Sequence, residues 1–174
     1  MDKYLYLLIL AFSFIVPIIY TFHKRLKFYK NLKSFILGFS LMFFVFIPWD
    51  IWFTDLGVWG FNERYFLGLS IFGLPIEECM FFFVIPYVCI FTYHVVYTLS
   101  KPTRVSSIKF TYFLSVLLFV LGVVFLQKWY TSITFISLSV LLLICTRFVN
   151  MTLFYKTFLI ILIPFCVVNG LLTG

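Results

Sequence analysis

Five of the six carboxylates in this 174-residue chain, Asp50, Asp55, Glu63, Glu77 and Glu78, fall within residues 50–78, and no Asp or Glu follows Glu78. Carboxyl groups are natural acids and bases for proton transfer, and keeping them in or near lipid is costly in a chain that is 64% hydrophobic. Proton chemistry is therefore sought in this window. Asp50 leaves one apolar segment and Glu77 and Glu78 begin the next, so a single connection brings three carboxylates to one membrane face. Consecutive helix residues point about 100° apart, so one of the Glu pair can face the bundle interior while its neighbour meets the connection. A purely structural account competes. Pro75 followed by acids in a first turn is an ordinary helix start, because the carboxylates offset the positive end of the dipole. Asp50 alone could end a helix at the interface, and Trp49, Trp52 and Trp59 could be ordinary interfacial aromatics. Convergence of the three acids favours a site.

The elements that must position these groups are set by composition. Only 11% of residues are charged and 24% are aromatic, with 26 Phe and 11 Tyr, far from the roughly one-quarter charged residues of a soluble domain. Mean hydropathy is +1.13, and six apolar segments recur, at about residues 4–22, 34–49, 76–99, 109–127, 130–146 and 157–172. Each approaches the ~20 residues a helix needs to cross a bilayer. Runs such as Leu7 to Ile19 and Leu114 to Leu126 lack the period-two alternation of a barrel strand. The expected fold is an all-α, polytopic membrane helix bundle. Lys3 ahead of the first segment could suggest a secretory signal, but bulky and basic residues, Phe22 to Arg25, follow where a small-residue cleavage site would lie. That segment reads as a retained helix.

Charge orients the bundle. Lys24, Arg25, Lys27, Lys30 and Lys33 crowd the first loop, Lys101, Arg104 and Lys109 the third, and Arg147 and Lys156 the fifth. Short loops this basic stay cytoplasmic, which puts the N-terminus and residues 50–75 outside. The net charge of +7 is accounted for by anionic lipid head groups, and nucleic-acid binding is rejected. Cys79, Cys89, Cys145 and Cys166 lie in apolar segments with no CxxC pair. They read as small hydrophobes, and no metal site is expected.

The connection itself has four glycines, Gly57, Gly60, Gly68 and Gly73, and three Trp in or at its edge. It is longer than usual between helices, and long connections tend to be functional or disordered. The Trp content argues for order. Residues 1–99 read as a first repeat carrying the acidic and aromatic loop 50–78, residues 100–129 as a linker helix region, and residues 130–174 as an incomplete second repeat. Parallel repeats of this kind place a site between their halves. A three-plus-one-plus-three plan would place a second acidic loop and a seventh helix beyond Gly174.

The sequence Pro75-Ile76-Glu77-Glu78, followed by Phe81-Phe82-Phe83 and preceded by Pro48-Trp49-Asp50 and Gly57-Val58-Trp59-Gly60-Phe61-Asn62, resembles the first half of the integral-membrane lycopene cyclase domain family of bacteria and fungi. The resemblance is specific over Pro48 to Phe83 and general in the later helices. It implies a cyclase of linear carotenoids in a bacterial cell membrane, acting in the lipid bilayer. It also implies a second cyclase subunit or a dimer, since the family carries a second Pro-x-Glu-Asp-like motif. On this resemblance ring closure is a redox-neutral isomerisation, needing an acid, a base and a cation-tolerant pocket. A carboxyl group in a poorly hydrated site or beside a like charge keeps its proton. Glu77 or Glu78 would then be the general acid, with Asp50 or the other Glu as partner. Trp49, Trp52, Asp55, Trp59, Phe61, Asn62, Pro75, Phe81, Phe82 and Phe83 would line the substrate site. No G-x-G-x-x-G turn is present, so no nucleotide cofactor is expected.

Other classes fit less well. A glutamate-type intramembrane protease would want Arg four residues after its Glu pair, where Phe82 stands. His94 lies 17 residues after Glu77, about 25 Å along a helix, and reads as a satisfied interfacial His. A prenyl-diphosphate enzyme would need close Asp pairs for Mg²⁺, and Asp50 and Asp55 are isolated. A small polytopic transporter would hold its acids near the bilayer midplane, whereas these lie at an edge.

Overall fold

The computed structural model describes residues 2–61, 65, 67–100 and 107–173. Helices dominate: α1 (Leu5–Thr21), α2 (Leu32–Asp55), α3 (Ile76–Leu99), α4 (Ile108–Val124), α5 (Trp129–Cys145) and α6 (Met151–Thr173), with short 3-10 turns at Asp2–Tyr4 and Phe28–Asn31. Long apolar helices are what the sequence must form if its backbone polar groups are to be satisfied away from water. Phe28–Asp55, Ile76–Leu99 and Met151–Val168 are long and apolar enough to cross a membrane, whereas α1, α4 and α5 have 17 residues each. At 1.5 Å per residue the shorter three extend about 25 Å.

Two boundaries differ most from the sequence expectation. Helix α2 does not stop before Asp50 but continues to Asp55, so Asp50, Trp52 and Asp55 are helical rather than part of a loop. Pro48 is carried inside the helix, and the helix stops at Gly57, whose φ is 67°. There the Gly57 N–H donates to Thr54 O at 2.9 Å and the Val58 N–H to Phe53 O at 3.0 Å, the paired bonds of a Schellman end. Helix α6 begins at Met151 rather than near 157, which places Lys156 on the helix and not in the fifth loop. Asn150 starts it, its Oδ1 accepting the Leu153 N–H at 3.2 Å, an N-cap bond.

The chain forms two compact units, residues 1–98 with 161–174, and residues 99–160. In the first, Phe28, Phe35, Tyr87 and Phe91 form a buried aromatic core. Its rings meet edge to face: Phe28 and Phe35 lie 5.6 and 5.2 Å from Tyr87, at 87° and 89°, the arrangement favoured by the ring quadrupole. The Tyr87 hydroxyl is hydrogen-bonded to Thr21 Oγ1, joining α1 to α3. Between α2 and α3 the chain forms a two-stranded hairpin, β1 (Ser70–Ile71) and β2 (Leu74–Pro75), with Ile71 opposite Leu74. Its turn residues Phe72 and Gly73 have φ of 52° and 83°, the left-handed pair that matches strand twist in a two-residue turn. In the second unit α4 and α5 pack closely. A Cβ at Gly122 would lie 2.7 Å from Ile136 Cγ1, so a small residue is what permits the approach. Ser139 Oγ donates to Ser115 O across the pair at 2.8 Å.

Candidate active site

The antiparallel course of α1, α2 and α3 sets the start of α1, the end of α2 and the start of α3 at one end of the first unit. Pro75 is buried at the close of β2, and α3 starts immediately after it with Glu77 and Glu78 in its first turn. Glu77 has no exposed surface. Its Oε1 accepts the backbone N–H of Leu67 at 2.8 Å, so the connection folds back onto the helix start. Its Oε2 is buried with no hydrogen-bond partner. Glu78, half-buried, turns the other way, and its Oε2 accepts the Tyr6 hydroxyl at 2.7 Å. The adjacent acids thus face different surroundings, but it is the buried Glu77 that meets the connection, while Glu78 meets α1.

Asp50 reaches the same place from α2. It is 5% exposed, its Oδ1 accepts Trp59 Nε1–H at 2.8 Å, and its Oδ2 is buried without a partner. It lies close enough to Glu78 and Tyr6 for a charge on it to act on both. Three carboxyl groups thus gather where two buried oxygens lack hydrogen-bond partners, a costly arrangement for a merely structural feature.

The aromatic residues sort into groups. Trp49, Phe53 and Trp59 form a stack, with Phe53 4.7 Å from Trp49 at 13° and 5.2 Å from Trp59 at 14°. Trp52 meets Phe53 edge-on at 5.1 Å but is half exposed. Phe81 lies 6.4 Å from Tyr6, and Phe82 6.1 Å from Phe81. Phe83 instead packs into the aromatic core, 5.1 Å from Phe39. Asp55 is exposed on the last turn of α2 and is not drawn into the acid cluster. Phe61 and Pro75, with Lys3, Leu67, Ser70 and Gly73, line a cleft of about 500 Å³. Asn62, Glu63 and Arg64 lie outside the described residues.

Tyr6, Phe53 and the Leu67 N–H are partners that sequence reasoning missed. Phe53 could have been found, since it falls four residues after Trp49 on one helix face. Tyr6 could have been suspected because an up-down-up bundle sets the start of α1 beside that of α3. Among the described residues no group of three or more His, Cys, Asp or Glu is arranged to hold a metal ion. His94 stands away from the acids, its Nε2 bonded to Leu26 O at 2.8 Å.

A helix bundle with long apolar spans and a carboxylate cluster at one end of its first unit is the class of protein defined so far. A sequence model of the lycopene cyclase family matches residues 3–96 and 127–174, a region that includes Tyr6, Asp50, Trp59, Glu77 and Glu78. The chain belongs to the lycopene cyclase family. Membership supports a carotenoid cyclase role and a place in the membrane. No curated protein and no solved structure matches it.

Proposed function

We propose that this chain closes the end group of a linear carotenoid into a ring, with Glu77 as the proton donor. The observation that carries this reading is the fully buried Glu77 side chain, one oxygen held by the Leu67 N–H and the other without a partner. The unpartnered Oε2 is the oxygen from which Glu77 gives its proton in this reading. The O–H protonates the terminal alkene, leaving a carbocation. The neighbouring double bond attacks it to form the ring C–C bond, and loss of a proton from a ring carbon restores the alkene. One proton enters and one leaves, so no oxidant or reductant is consumed.

The remaining groups take complementary parts. Asp50, steadied by Trp59 through Oδ1, has Oδ2 free to accept the departing proton. Glu78, oriented by Tyr6, sets a second carboxyl group beside the cation. Aromatic faces of the Trp49–Phe53–Trp59 stack and of Phe81 stabilise the cation by about 0.5–2 kcal/mol each where desolvated. Alkene protonation by a carboxylic acid is difficult, and these fixed groups supply preorganised electrostatic stabilisation. The basic loops set the acid cluster on the outer face.

The test is to supply linear carotenoid to membranes containing the chain in D₂O. The assay is run with the chain alone and with a companion chain bearing a second Pro-x-Glu-Asp-like segment. Each ring formed should add one deuteron to the product. Rings formed without deuterium would refute proton donation by an exchangeable acid, and no ring in either arm would refute the cyclase reading.

A further inference from the structure

The opposite end of the first unit carries a second constellation. Lys24, Arg25, Lys27, Lys30 and Lys33 fall within ten residues and all are exposed. The six carboxylates of the chain lie at positions 2, 50, 55, 63, 77 and 78, ahead of α1 or between the last turns of α2 and the first turn of α3. Twenty-four-residue helices, about 36 Å long, separate the two ends. Among the described residues no carboxylate lies beside these five cations.

Beside these cations a groove of about 360 Å³ opens between α2 and α3. Phe28, Phe35, Ile90 and Tyr93 form its apolar wall, and Asn31 and Ser34 its polar lip. Lys30 and Lys33 directly precede the two lip residues. The lip is built rather than loose. A carbonyl only accepts, so His94 donates Nε2–H to Leu26 O at 2.8 Å, and its Nδ1 then accepts from Asn31 Nδ2 at 3.3 Å. Phe28, 1% exposed, anchors the turn against Phe91 at 5.4 Å and 90°. Tyr97, 62% exposed, and Tyr93 stack at 6.5 Å, as aromatics at a headgroup boundary do.

We propose that this groove binds an anionic phospholipid, with the phosphate at Lys30, Lys33, Asn31 and Ser34 and an acyl chain along Phe28, Phe35, Ile90 and Tyr93. Exposed lysines beside an apolar slot match a diacyl lipid of net negative charge. A zwitterionic lipid would fill the slot and leave the cations unneutralised.

The purified full chain in neutral detergent is offered phosphatidylglycerol or phosphatidylcholine of equal chain length, and retained lipid is counted by native mass spectrometry. Phosphatidylglycerol should be retained about tenfold more strongly. Glycerol phosphate, the headgroup without its chains, should not displace it. Lys30→Gln with Lys33→Gln should abolish the preference, while Lys30→Arg with Lys33→Arg keeps it. Lys109→Gln with Lys156→Gln removes the same charge elsewhere and should leave the preference intact. Equal retention of the two lipids, displacement by glycerol phosphate, or equal loss in both Gln pairs would overturn the proposal.

Discussion

The Tyr6 hydroxyl, in the first turn of α1, donates a 2.7 Å hydrogen bond to Oε2 of Glu78, in the first turn of α3, across 72 positions of sequence. This bond ties the start of one helix to the acidic start of another. It also leaves the two adjacent glutamates unalike: Glu78 is held by a side chain, Glu77 by a backbone N–H.

Tyr6→Phe keeps the ring that packs near Phe81 and removes only the donor. A hydrogen bond to a charged group contributes about 1.5–3 kcal/mol, so ring formation should fall by about tenfold or more while helix content is unchanged. Initial rates and far-UV circular dichroism check this together. An unchanged rate would show that the bond does not orient Glu78.

Phe53 is the middle ring of the Trp49–Phe53–Trp59 stack and is 2% exposed, whereas Trp52 is 47% exposed. Phe53→Ala should destabilise by about 3–5 kcal/mol, and Trp52→Ala by no more than about 0.5 kcal/mol. Unfolding midpoints in detergent distinguish them. Equal losses would contradict the stack as the packed feature.

Trp59→Phe preserves a stacking ring but takes the Nε1–H from Asp50 Oδ1. A buried acceptor that loses its donor costs about 1–3 kcal/mol. Both the unfolding midpoint and the cyclisation rate should drop, with the rate affected more if Asp50 receives the departing proton.

Orientation is tested with the native cysteines, all free, replaced by Ser or Ala. Val58→Cys, at an exposed position just after α2, should react with an impermeant thiol reagent from outside intact cells. Lys30→Cys should react only after lysis. The reverse pattern would invert the bundle.

The sequence made some of this visible and hid the rest for physical reasons. The start of α3 was legible because Pro75 and two acids form a strong helix-start signal, and structure places Ile76 there. The end of α2 was misplaced because Pro48-Trp49-Asp50 has the composition of an interface. The real stop, Gly57, lay seven residues further on, and a membrane-spanning helix tolerates an internal Pro. Phe81, Phe82 and Phe83 carried no facing information, since three apolar neighbours on a helix point three ways. Only packing separates Phe83, in the core, from Phe81, near Tyr6. The Tyr6–Glu78 and Trp59–Asp50 bonds depend on which helices become neighbours, which local pattern does not specify.

The most direct measurement compares Glu77→Gln with the unaltered chain. Glutamine keeps the size of the side chain and a carbonyl oxygen to accept the Leu67 N–H, but has no proton to give. With equal amounts of protein in the membrane, ring formation should fall at least about 100-fold, the low end of what a general acid contributes. The unfolding midpoint should stay close to that of the unaltered chain. Near-normal ring formation by Glu77→Gln would contradict the account, and would leave the buried glutamate as a helix-start residue.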